Sequence, residues 1–86
     1  MRKLEAEITI EYDDARVAES IAHAVSPDNS IAPNGLSIET RSERNKVVTV
    51  ITCDRGFKTF IATIDDLLYS LATAERTLQG TMKLQT

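Results

Sequence analysis

The sequence predicts an α+β fold: a two-layer β-α-β-β-α sandwich whose three-stranded antiparallel or mixed sheet carries two helices on one face. Three patterns point there. Residues 4–12 alternate strictly between polar and apolar, residues 47–53 are apolar on both faces of a strand, and residues 57–78 carry a long apolar stripe at helical spacing.

In the first strand Leu4, Ala6, Ile8, Ile10 and Tyr12 take the even positions and Glu5, Glu7, Thr9 and Glu11 the odd ones, which gives one buried and one wet face. Asp13 and Asp14 follow as N-cap and first-turn residues. Val17, Ile21 and Val25 recur every four residues beside Ala18, Ala22 and Ala24, an amphipathic helix predicted to end before Pro27. Residues 26–35 hold both prolines and an Asn-Gly pair and read as a turn-rich connector. A second strand is predicted over 36–41, with Leu36 and Ile38 inward, followed by a polar turn over 42–46. In the third strand Val47, Ile51 and Cys53 point one way and Val48 and Val50 the other, so it belongs at the centre of the sheet. A right-handed crossover from the first strand to the second, with the third inserted between them, gives the same order. The last helix places Phe57, Ile64, Leu71 and Leu78 at one heptad position, Phe60, Leu67 and Ala74 at a second, and Ile61 and Leu68 beside them. Gly80 is expected to end it, with 81–86 as a disordered tail.

Eighty-six residues make a single domain, with no room for two cores. A net charge of −3 argues against a stand-alone nucleic-acid binder. One cysteine, no apolar run of membrane-spanning length and no signal-peptide pattern at the N-terminus lead to the expectation of a cytoplasmic protein.

Chemistry is sparse. His23 lies about 200° round the first helix from Ile21, on the side of Arg16, Glu19 and Ser20, and has no sequence partner. Cys53 ends a buried strand. Asp65 and Asp66 diverge by about 100° on a helix and do not readily share a proton or a metal. Asp13, Asp14, Asp28 and Asn29 have capping and turn roles that suffice. No phosphate loop, dinucleotide fingerprint or zinc spacing occurs, so neither an enzyme nor a cofactor is expected.

Two surfaces exceed what a core needs. Val48 and Val50 face away from the helices and are read as the centre of a dimer interface with Glu5, Glu7, Glu39 and Arg41 at its margins, the alternative being a dimer that pairs strand edges. On the long helix Thr59, Thr63, Asp66, Ser70, Thr73 and Thr77 form a strip of short side chains where Lys and Glu would be ordinary. Such a strip lets a partner helix approach closely. Arg41, Arg44 and Lys46 cluster near the hairpin as a candidate RNA contact.

The segments AESIAHAVSPDN and FKTFIATIDDLLYSLATAERTL resemble the small dimerising subunit of the archaeal and eukaryotic KEOPS complex, a family that also includes the cancer-testis-antigen (CTAG) proteins. The resemblance spans about residues 4–78 and suggests an archaeal source. It implies a homodimer whose two helices bind the threonylcarbamoyl-transferase subunit, which has an actin-like ATPase fold. That complex places threonylcarbamoyl on the adenosine beside the anticodon of tRNAs reading codons that begin with A. On this resemblance Thr59, Thr63, Asp66, Ser70 and Thr73 become candidates for the transferase contact. Ile61 and Asp65-Asp66 stand where much of the family carries a basic residue and an Asn-Ser pair, which argues against RNA contact by this helix. The alternatives are a small RNA-binding module, which would lack the GxxG loop of KH-like domains, and a ligand-binding regulatory domain.

Overall fold

The computed structural model describes residues 3–29 and 35–84. Its elements run β1 (Leu4–Glu11), α1 (Ala15–Asn29), β2 (Leu36–Glu43), β3 (Lys46–Cys53) and α2 (Phe57–Leu84). The sheet order is β1-β3-β2, with both outer strands antiparallel to β3. The predicted order and central strand are therefore observed, and the sheet is antiparallel rather than mixed.

Register explains the core. Leu4, Ala6, Ile8 and Ile10 stand opposite Cys53, Ile51, Thr49 and Val47. On the other side Leu36, Ile38 and Thr40 meet Cys53, Ile51 and Thr49. This face receives Ala18, Ile21, Ala22 and Val25 of α1 and Phe60, Leu67 and Leu71 of α2. Ile21, Val25, Val47, Ile51 and Cys53 are at most 2% exposed, whereas the inward residues of β1 are only half-buried. A side chain on the central strand is enclosed from both sides; one on an edge strand is enclosed from one. Thr49, equally buried, shares a 3.0 Å hydrogen bond with Thr40, which satisfies two hydroxyls inside the layer.

Capping and turn chemistry set the boundaries. Asp14 accepts the Val17 N–H at 2.9 Å and so caps α1. Gly56, at φ +100°, supplies the carbonyl that accepts the Phe60 N–H and starts α2. A two-residue turn, Arg44-Asn45, joins β2 to β3, shorter than the predicted 42–46, and Arg44 adopts φ +57°. Asn45 pins this turn to the end of β1: its carbonyl accepts the Tyr12 N–H, and its side-chain amide donates to the Tyr12 carbonyl.

Three expectations need correction. α1 runs through Pro27 to Asn29, and Asp28 and Asn29 belong to that helix rather than to a turn. Proline there removes one N–H near a helix end, a loss the helix tolerates, and the bias against helical geometry before proline is a preference rather than a barrier. Of the predicted connector, residues 30–34 lie outside the described residues. α2 passes Gly80 and reaches Leu84, so residues 81–84 are helical. A mid-helix glycine costs about 1 kcal/mol relative to alanine, too little to force a stop. Finally, Phe57, Ile61 and Leu68 are not core residues, being 68%, 40% and 45% exposed. α1 packs chiefly against β2 and more lightly against β3, whereas α2 meets the sheet at β3 and packs against α1.

Gly35 and Gly56 both have positive φ, but only Gly35 is crowded: a Cβ there would lie 2.3 Å from Asp54 Oδ1, whereas none of the surroundings of Gly56 lies within 4 Å. Gly35→Ala is expected to lower unfolding free energy by about 1–3 kcal/mol and Gly56→Ala by less, both measured by urea denaturation. Equal losses would mean that the contact with Asp54 is unimportant.

Candidate functional site

The two helices diverge enough to leave an open groove of about 440 Å³ between them. Ser20, Ile21 and Ala24 of α1 form one wall, and Ser70, Thr73 and Thr77 of α2 form the other. The groove exists because side chains on both walls are short. Ile21 is 1% exposed and belongs to the floor; Tyr69, 73% exposed, stands at the rim. A surface of this shape suits an inserted helix or an apolar side chain, since few long charged chains need desolvating there.

The predicted strip divides. Ser70 and Thr73 line the groove, whereas Thr59, Thr63 and Asp66 lie outside it. Thr63 is only 8% exposed and donates its hydroxyl to the Thr59 carbonyl at 2.8 Å. Thr77, which lines the groove, donates to the Thr73 carbonyl at 3.0 Å. These i−4 bonds satisfy hydroxyls within the helix, so the strip contributes smallness more than hydrogen-bonding capacity. Asp65 and Asp66 are both exposed.

On the opposite face of the sheet Val48 is 5% exposed and Val50 half-buried. Val48 stands between Thr9 and Arg41, and Val50 between Glu7 and Glu39. Neighbours on both sides of the central strand already screen Val48 from water. The hairpin cations are interleaved with carboxylates. Arg41 Nε donates to Glu43, and Lys46 lies between Glu11 and Glu43 in the register. His23 is exposed, and Cys53 is fully buried, its sulfur accepting the Arg55 N–H at 3.4 Å. Among the described residues no three His, Cys, Asp or Glu side chains converge as metal ligands. Among the described residues no helix is long and apolar enough to cross a membrane.

One polar contact was not legible in the sequence. The Tyr12 hydroxyl donates to Glu75, tying the exit of β1 to α2 across 63 residues of chain. Burial pushes the phenol well above its ordinary range, and the Glu75 carboxylate raises it further, through the hydrogen bond and then through its charge. Tyr12 and Glu75 line a second depression that shares Ile21 and Leu78 with the groove. The contact therefore fixes α2 beside the candidate site.

Comparison with known proteins gives a consistent answer at the level of fold. The family described as "Transcription factor Pcc1" matches residues 5–79. A solved structure titled "Crystal structure of binary complex Gon7-Pcc1" contains a similar chain, with a TM-score of 0.80 at 17% identity. The match covers 91% of this chain and 95% of the other. No curated protein matches in sequence.

Because the folded state raises the phenol's pKa, the Tyr12–Glu75 bond contributes in full below about pH 10, the ordinary phenol value, and is lost as pH rises through the raised one. Tyr12→Phe is expected to cost about 1–2 kcal/mol at neutral pH. The wild type should then lose stability above about pH 10 more steeply than the variant, measured by urea unfolding across pH. Parallel pH profiles would contradict this role for Tyr12.

Proposed function

The chain belongs to the Pcc1 family, and on that premise we propose that it is a non-catalytic, dimerising accessory subunit of a KEOPS complex. In this reading the α1–α2 groove receives the threonylcarbamoyl-transferase subunit, and the protein supports threonylcarbamoyladenosine modification of tRNA without supplying reactive groups. The observation that carries the proposal is the family match over residues 5–79, together with a groove built from both helices where the resemblance places the contact. Ser70 and Thr73 are the central contact residues, with Asp66 and Thr59 farther along the same helix. Thr63 supports the helix from a buried position.

Self-association is assigned to the open sheet face around Val48 and Val50, where a second copy would cover Val50 and the margins of Val48. A dimer of this kind would bring two transferase subunits into one assembly. The cytoplasm is the compartment that fits such a role. The Arg41, Arg44 and Lys46 cluster is assigned at most an auxiliary tRNA contact, because Glu43 and Glu11 offset its charge locally.

Co-purification with the transferase subunit tests the groove. Ser70→Lys and Thr73→Lys are expected to weaken that complex at least tenfold while leaving sedimentation of the chain alone unchanged. Normal binding by both variants would remove the groove from the contact. Val50→Asp is expected to shift the chain toward monomer in analytical ultracentrifugation, and an unchanged mass would exclude the open face.

A further inference from the structure

A depression of about 380 Å³ opens where β1 hands over to α1, at the end of the groove. Val17, Ile21 and Leu78 make its apolar side, and Tyr12, Asp13, Asp14 and Glu75 its polar side. Ile21 and Leu78 also line the groove, so the two hollows are continuous, and the depression is the more enclosed of the two. Whatever fills the groove therefore passes the mouth of the depression.

The carboxylates here are only partly used by the fold. Asp14 accepts the Val17 N–H, and Glu75 accepts the Tyr12 hydroxyl, so both bond to neutral donors and keep lone pairs free. Asp14 answers the positive end of the α1 dipole; Asp13 and Glu75 are in excess of it. Glu75 is half-buried, which leaves its charge less screened than that of a surface glutamate. Among the described residues no lysine or arginine lines the depression. Arg16, close in sequence, lines a separate hollow with Glu19 and His23. Nor do the acids converge as metal ligands among the described residues. An apolar floor beneath unneutralised carboxylates suits a cation on a hydrocarbon stem better than a bare ion.

We propose that this depression receives an arginine or lysine side chain carried by the helix that occupies the groove. The stem lies on Val17, Ile21 and Leu78, and the charged head sits between Glu75 and Asp13. The inference rests on the groove being a docking site and adds what the groove itself does not supply. The groove walls are short, neutral side chains that accept a helix in either direction. A cation site at one end only selects the partner by charge and fixes its direction. Glu75 lies five residues beyond Ser70, about 7.5 Å along α2, so the basic residue falls one to two turns from the one packed against Ser70.

The transferase subunit serves as the probe. Asp13→Asn with Glu75→Gln removes two charges, while the glutamine can still accept the Tyr12 hydroxyl. This double variant is expected to bind at least about tenfold more weakly than wild type, with a flatter dependence on salt. Tyr12→Phe keeps both charges and should bind within about threefold of wild type. Wild-type affinity in the double variant overturns the proposal. So does a loss in Tyr12→Phe as large as in the double variant, because the pair would then act only by holding α2 in place. Ser70→Lys and Thr73→Lys report on the groove separately. If they weaken binding and the double variant does not, the groove stands and the cation site falls; the reverse result keeps the cation site and removes the groove. If the double variant unfolds, Asp13→Asn alone decides, through a loss of about threefold at this exposed position. If wild type does not bind the transferase subunit, titration of isotope-labelled protein with arginine amide decides instead. Shifts confined to Tyr12–Val17 and Glu75–Leu78 that vanish on charge removal uphold the site, and their absence overturns it.

Discussion

The burial of one face of β3 beneath two helices is the constraint on which the rest of the structure depends. Val47, Thr49, Ile51 and Cys53 are each at most 1% exposed, and they lose water only because β1 and β2 flank them and α1 and α2 lie above. The order β1-β3-β2 follows from that requirement, since β3 alone has apolar side chains enough to occupy the centre. Truncating a residue such as Ile51 in this layer would leave a cavity worth about 2–5 kcal/mol, a large fraction of what so small a domain has to lose. The helices are consequently held from below, on the sheet, and their outer surfaces are free to carry function.

That arrangement explains why the sites lie where they do. Each helix turns one apolar stripe to the sheet, Ile21 and Val25 on α1 and Phe60, Leu67 and Leu71 on α2. Between the helices remain Ser20, Ala24, Ser70, Thr73 and Thr77, which are too small to close the gap. A strand of eight residues spans about 27 Å and a helix of 28 residues about 42 Å, so α2 also extends beyond what the sheet can cover. The Tyr12–Glu75 bond and the Asn45 clasp on Tyr12 hold the end of β1 against α2 and the hairpin, which keeps the groove's geometry tied to the sheet. In the proposed role as an accessory subunit, this rigidity would matter more than reactive groups.

Fold was legible in the sequence wherever periodicity had a single meaning. The alternation of β1 and the two-faced apolar run of β3 could be placed at once, because a strand's inward and outward positions differ by one residue. Helix ends were less legible. Pro27 and Gly80 are local signals, and the continuing helix on either side outweighed them. The heptad pattern named Phe57, Ile61 and Leu68 as apolar but could not tell whether the sheet extended beneath them. The hydroxyl strip was visible as a composition anomaly, yet only the packing of α1 separated Ser70 and Thr73, which line the groove, from buried Thr63. Tyr12 and Glu75, 63 residues apart, gave no sequence signal of their contact, since each is unremarkable in its own element.

In the proposed role this chain acts through the surface between its helices. Amide hydrogen exchange of the protein, alone and with the threonylcarbamoyl-transferase subunit, tests that most directly. Slowed exchange is expected at Ser20–Ala24 and Ser70–Thr77, with β3 protected equally in both states because its face is already buried. Protection elsewhere with the groove unchanged, or no change on adding the subunit, would contradict it.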